Sequence, residues 1–227
     1  GFARHLLISA LLLANTLCDS NVKYGHDIVL DSHTVLFTEG TSQELEEDGG
    51  AEWQRRFTMT HLDESDSCES HGWRQLDTPR RVFDAFTFFN EIEIFRLRVE
   101  TLKDEVDLFV VAESTKTHSN VPKPLLLGDA LAQLGGDAGL AARVHRVVVD
   151  DLPDSPDPWV LEHHQRDALV RGLATAEDRD LVIITDVDEI PSPHVVRLLR
   201  TCEGWDESGV VQLYTRFFNF KFSWQFQ

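Results

Sequence analysis

Two aspartates one residue apart, Asp186 and Asp188, follow directly on the apolar run Leu181 to Thr185, and Glu189 comes next. On a still-extended backbone, alternate side chains share a face, so both carboxylates point to one side and Val187 to the other. Oxygens converging in this way can hold a hard divalent cation, Mn2+ or Mg2+, which prefers carboxylate and phosphate oxygens. A cation held there can bridge to a diphosphate and stabilise the charge that grows on a departing nucleotide. The spacing alone is weak evidence, because it arises by chance in a chain this rich in Asp, and Asp178-Arg179-Asp180 is a second copy. Position separates the two. Only Asp186 and Asp188 end a strand, whereas Asp178 to Asp180 read as a solvated loop. The competing role for Asp186 and Asp188 is to cap the turn that follows.

The elements that must carry these residues begin near Arg80. Val82 to Phe89 is rich in strand formers, and beyond Asn90 the residues Ile92, Phe95, Val99 and Leu102 recur at steps of three and four, so a strand feeds an amphipathic helix. Further strands are predicted over Val106 to Ala112, Val144 to Val149 and Leu181 to Thr185, the last buried on both faces. Helices are predicted around Asp129 to Leu134, over Trp159 to Ala174, and from Pro193, with Ser192 as its cap, to near Cys202. The aromatic segment Val210 to Phe222 reads as strand-rich. Strands alternating with helices predict an α/β fold, a mostly parallel sheet covered on both faces. Ligands of such sheets sit beyond the carboxyl ends of the strands. That directs attention to Asn90 and Glu91, to Glu113 through Lys116, to Asp150 and Asp151, and to Asp186 through Glu189.

Composition narrows the partners. The 227 residues carry 21 Lys plus Arg against 39 Asp plus Glu, a formal net charge of −18, so nucleic acid is not expected as a partner. An acidic protein that binds an anionic sugar nucleotide needs a cation or a local basic patch between the two. Three cysteines are too few for a disulfide framework and lack the spacing of a zinc site; in an oxidising compartment Cys68 with Cys202 is the expected pair, three free thiols being the alternative. Leu6 to Leu17 is a nearly unbroken apolar run, short for a bilayer span of roughly 20 residues but suited to a signal peptide, or to a type II anchor whose start lies upstream. Since Gly1 is not Met, the natural chain is expected to extend further. The organisation expected is a targeting or anchor segment over 1–20, an acidic stem over 21–79, and a catalytic domain over 80–227.

Five segments in series strongly resemble glycosyltransferase family 17: Phe83-Asp84-Ala85-Phe86 to Phe89-Asn90-Glu91; Val111 to Thr117; Lys123-Pro124-Leu125; Trp159 with Glu162, Gln165 and Arg166; and Ile184 to Pro191. The likeness covers about Arg80 to Phe222. It implies a GT-A-like fold, UDP-GlcNAc as donor, the β-linked core mannose of an N-glycan as acceptor, a β-1,4 linkage formed with inversion, and a divalent metal, Mn2+ before Mg2+. It also implies a Golgi setting as a type II membrane protein, or secretion if the N-terminal segment is cleaved, and further chain beyond Gln227. Within the motifs, Asp186 and Asp188 are the candidate metal ligands, Asp188 and Glu189 the candidate catalytic residues, and Asn90, Glu91, Glu113 and Arg166 candidate donor contacts.

Each of these has a plainer alternative. Asn90 and Glu91 can simply cap the helix after them, Glu113 can bond its loop, and Glu162 with Arg166 can form an i,i+4 surface ion pair. Lys116 and Lys123 are expected to be solvated; Trp159 and Phe217 to Phe220 are expected in the core rather than stacked on sugar or uracil. The base that takes the acceptor proton stays open among Glu189, Glu113 and a residue beyond Gln227. Two other functions compete. A haloacid-dehalogenase-type phosphatase would use Asp186 as nucleophile and Asp188 as acid/base, but Ile190 stands where it needs Thr and too little chain follows. A non-catalytic secreted fragment would bear these carboxylates only as surface.

Overall fold

The computed structural model describes residues 34–39, 57–62, 65–134, 138–205 and 211–214. In chain order the strands are β1 (Thr34–Glu39), β2 (Phe57–Leu62), β3 (Arg74–Gln75), β4 (Val82–Phe88), β5 (Leu108–Ser114), β6 (Val144–Val149), β7 (Leu181–Thr185), β8 (Cys202–Glu203) and β9 (Val211–Tyr214). The helices are α1 (Ile92–Leu102), α2 (Leu127–Ala132), α3 (Ala138–Ala141), α4 (Pro158–Asp167) and α5 (Pro193–Thr201). Two compact units result: Arg80–Pro193, and Gly1–Pro79 together with His194–Gln227.

In the first unit, β4 to β7 form a parallel sheet in the order β6-β5-β4-β7. The chain steps outward from β4 to β5 to β6, then returns to place β7 on the other side of β4. The strand order therefore reverses between β4 and β7, and in open α/β sheets ligands bind beyond the carboxyl ends of strands at such a reversal. β4 is central and buried along its length apart from Thr87. Its residues Phe86 and Phe88 meet Phe95 of α1, with ring centroids 6.2 and 5.7 Å apart. The opposite face receives a 3-10 turn, Ala168–Gly172, that continues α4. Register puts Val110 beside Ala85, on the face away from Phe86, and a Cβ added at Gly172 would overlap Val110 Cγ1 and lie 3.0 Å from Val147 Cγ2. Glycine thus lets the turn lie flat on the sheet, and helical structure covers both faces as the alternating pattern predicted.

Several boundaries differ from expectation for local reasons. β5 runs to Ser114 because its last residues still pair with Val148 and Val149 of β6. The helix expected over Trp159 to Ala174 is α-helical only through Asp167 and tightens to 3-10 geometry where it meets the sheet. β7, expected to be buried on both faces, pairs only with β4 among the described residues, and Val182, Ile184 and Thr185 are half-buried. An apolar sequence does not distinguish an edge strand from a central one.

The second unit holds an antiparallel sheet in the order β2-β1-β9 and the small antiparallel pair β3-β8. β1, β2 and β3 fall within 21–79, the stretch expected to be stem. Cys68 and Cys202 are joined by a disulfide beside the β3-β8 pair, as expected. Arg74 of β3 donates to Glu203 of β8 through Nε (2.7 Å), and Trp205 Nε1 donates to the Cys202 carbonyl (2.8 Å). The segment Leu6 to Leu17 and the aromatics Phe217 to Phe220 lie outside the described residues. Among the described residues, no helix is long and apolar enough to cross a membrane.

Candidate functional site

β7 ends at Thr185, and the next four residues close a turn rather than continuing extended as expected. Glu189 N donates to the Asp186 carbonyl (3.0 Å), Ile190 N to the Asp188 carbonyl (3.1 Å), and Asp186 N to Glu189 Oε2 (3.0 Å). Glu189 therefore closes the turn with its own side chain, much as Ser or Asp does at a helix start, and Pro191 bars helical geometry at Ile190. Val187 is buried and anchors the turn, while Asp188 and Glu189 are exposed.

Register puts Thr185 beside Phe86, on the α1 face, so Asp186 turns toward the α4 face. There it meets Arg166. Asp157 caps α4 by accepting from Trp159 N (3.0 Å), and Pro158 is the first helical residue. Gln165 fixes the helix to the sheet, its Nε2 donating to the Ala112 carbonyl (3.0 Å) while its Oε1 pairs with His118 Nε2 (2.9 Å). One turn of helix brings Glu162 and Arg166 together, and Arg166 Nη2 donates to both Glu162 Oε1 (3.1 Å) and Asp186 Oδ1 (2.8 Å). The i,i+4 pair is thus one half of a link that reaches the tip of β7. Asp188 makes no side-chain hydrogen bond among the described residues.

The other expected positions gather around the ends of β4 and β5. Glu91 stands at the N-cap of α1, but its Oε2 folds back to accept from Phe89 N and Asn90 N (3.0 Å each). Asn90 is exposed, and its carbonyl accepts from Ile92 N (2.9 Å). Glu113 is fully buried; it accepts from the amides of Leu126 and Leu127 at the start of α2, and Lys123 Nζ lies 3.6 Å from its Oε1. Lys123 is not the solvated residue expected. Its side chain is 8% exposed, and Nζ donates to the Phe89 carbonyl (3.3 Å) and sits 5.2 Å from the centre of the Phe89 ring. Trp159 is not in the core either: it is 64% exposed, on the first turn of α4.

The second Asp-x-Asp copy lies at the opposite, amino end of β7. The Asp180 side chain is 3% exposed; it accepts from Glu177 N (2.7 Å) and pairs with Arg81 through Nη2 (2.6 Å) and Nε (3.1 Å). It closes a loop and is less solvated than expected. Arg81, hydrogen-bonded to that carboxylate, holds its proton above the usual guanidinium range.

The ordered motifs and this geometry occupy one unit of a longer likeness: the model of glycosyltransferase family 17 matches residues 49–227. The chain belongs to that family. Over 137 residues it is 33% identical to the β-1,4-mannosyl-glycoprotein 4-β-N-acetylglucosaminyltransferases of Rattus norvegicus and Homo sapiens, an overlap of 58% of this chain and of 25% and 26% of theirs. The mouse protein of the same name is 32% identical over the same length. The chain spans about a quarter of the length of these curated relatives. No solved structure matches it.

Two residues of this family 17 chain, one bonded to the turn and the other to that residue, escaped the sequence reading as functional positions. Asp84 and Arg98 are both fully buried and bonded to one another. Their signal was a lone acid inside the apolar strand Val82 to Phe88 and a lone base on the face of α1 that carries Phe95 and Leu102. Opposite charges at two positions expected to be buried imply a pair.

Proposed function

We propose that the protein transfers N-acetylglucosamine from UDP-GlcNAc to the β-linked core mannose of N-glycans, with a β-1,4 linkage and inversion, on a GT-A-like scaffold. The observation that carries this reading is the Asp186–Glu189 turn at the strand-order reversal, with the Arg166 guanidinium hydrogen-bonded to its first carboxylate. The named activity of the curated relatives supports the choice of sugar and acceptor. The disulfide between Cys68 and Cys202 and the apolar run Leu6 to Leu17 support a secretory-pathway setting, in the Golgi membrane or secreted.

The residues at the turn fit a divalent cation, Mn2+ or Mg2+, shared with the donor. Asp186 keeps Oδ2 clear of hydrogen bonds among the described residues, and Asp188 is exposed. Among the described residues no group of three His, Cys, Asp or Glu surrounds a point, but such cations commonly take one or two carboxylates and fill the remaining positions with phosphate and water. Asp186 and Asp188 would hold it. When bound, the cation withdraws charge from the diphosphate and eases departure of UDP. Arg166 adds a fixed positive charge beside the same group, oriented by Glu162 and Asp186. Asn90 and Glu91, just beyond the end of the neighbouring β4, are proposed donor contacts. Glu113 acts indirectly, by fixing the loop before α2. For the base we favour Glu189, whose carboxylate is exposed, over Glu113, whose carboxylate is buried. The test is transfer of labelled GlcNAc from UDP-GlcNAc to an N-glycan acceptor: EDTA abolishes it, and Asp188→Asn lowers kcat/KM by about 100-fold or more. Full transfer in EDTA contradicts the reading.

A further inference from the structure

Arg98 of α1 is fully buried, and its side chain lies over the face of β4 that carries Asp84 and Phe86. Nε donates to Asp84 Oδ2 (2.8 Å) and Nη2 to Asp84 Oδ1 (2.6 Å), a two-point pair that fixes the plane of the guanidinium. The remaining donors all go to the end of β7. Nη2 donates to Thr185 Oγ1 (2.6 Å), and Nη1 to the carbonyls of Asp186 (2.8 Å), Glu189 (3.1 Å) and Val187 (3.3 Å). The ring of Phe86 lies 4.6 Å beneath the guanidinium carbon. A buried charge is costly unless fully bonded, and here the donors not taken by Asp84 go to the Thr185 hydroxyl and, through Nη1, to backbone oxygens of one four-residue turn. We propose that Arg98 is the positioning residue of the site: anchored by Asp84, it locks the carbonyls of the Asp186–Glu189 turn and so sets the aim of the Asp186 and Asp188 carboxylates.

The arrangement is two-sided. Arg98 holds the backbone of the turn from the α1 face, and Arg166 holds the Asp186 carboxylate from the α4 face. Only the second contact competes with a ligand of that carboxylate. Arg98 touches no carboxylate of the turn, and with its charge paired to Asp84 its direct contacts bear on the geometry of the turn. Lysine in its place retains the charge opposite Asp84 but has one nitrogen where arginine has three. Thr185 offers a separate handle, since its hydroxyl accepts from Arg98 and donates to the Glu189 carbonyl (3.3 Å), while Val keeps its shape.

This inference rests on the cation reading, and the experiment separates the two. Mn2+ is titrated into the full chain and into R98K and T185V, with free Mn2+ read by electron paramagnetic resonance, and amide hydrogen exchange is followed in the same proteins. The expected result is an Mn2+ dissociation constant raised by about 10- to 100-fold in R98K, and raised to a smaller extent in T185V, at unchanged stoichiometry. Partial unfolding would lower the stoichiometry instead. Exchange at the Glu189 and Ile190 amides accelerates while the β4 and β5 amides keep their protection. If R98K does not fold, T185V decides by the same two measurements. Wild-type affinity together with wild-type exchange at the turn overturns the role of Arg98 and leaves the cation reading standing. Failure of the wild-type chain to bind Mn2+ overturns both.

Discussion

Side chains at the tip of β7 separate by burial. Arg98 and Asp84 are sealed in the core, Asp84 bonded to Arg98 and Arg98 to the backbone of the turn, whereas Asp186, Asp188 and Glu189 reach solvent. That the aspartate pair follows directly on the end of a strand was legible from the apolar run Leu181 to Thr185. Its local geometry was not. The turn depends on Glu189 bonding back to Asp186 N, a choice of side-chain partner that spacing does not encode. Exposed charges of the same unit behave differently. The Arg171 guanidinium, hydrogen-bonded to Asp151 at 2.6 and 3.0 Å, brings that carboxyl down from 3.8 to about 2. A carboxylate whose pKa is depressed on folding stabilises the fold above its unfolded value, and the contribution disappears as pH falls through the folded value. Arg171→Gln should therefore unfold at lower urea than wild type at neutral pH, with the gap closing between about pH 4 and about pH 2. Because the pair is exposed, high salt should shrink that gap as well. Equal urea midpoints at neutral pH and low salt would remove the pair from the stability of the fold.

At the scale of elements, the site depends on α4 and the 3-10 turn after it. α4 must lie close enough to the sheet for Arg166 to reach Asp186, and Gly172 permits the close approach that follows. Gly172→Ala drives a methyl into Val110 and Val147, so a loss of about 1–3 kcal/mol is expected in urea unfolding, accompanied by weaker nucleotide binding as Arg166 moves. An unchanged midpoint would show that the turn yields at no cost. β7 was read with its observed limits because it is a short apolar run bounded by polar residues, and β6 because its four valines lie between Arg143 and Asp150. α4 was read too long because its apolar spacing continues through Leu169 and Leu173; contact with the sheet, absent from any local pattern, tightens the backbone there. The edge position of β7 was hidden for a similar reason, since Leu-Val-Ile-Ile-Thr suits either place.

For the whole molecule, the governing quantity is a net charge of −18, which the proposed function has to reconcile with an anionic donor. The disulfide between Cys68 and Cys202 spans 134 residues of sequence, and closing a loop of that size contributes about 3–5 kcal/mol in the chain-entropy account. That pairing could be named from the cysteine count and the compartment, but the β3-β8 pair beside it could not, because two-residue strands carry no periodicity. The order β6-β5-β4-β7 was likewise beyond the sequence, which supports parallel strands but not which of them are neighbours; the reversal it creates lies beside the Asp186 turn. The most direct test of the account is calorimetric titration of UDP into the full chain with Mn2+ or with EDTA, repeated for Asp186→Ala and Asp188→Ala. The account predicts binding by the wild-type chain with Mn2+, none with EDTA, and none by either variant with the fold intact. Binding of equal strength in EDTA, or retained in both variants, would contradict it.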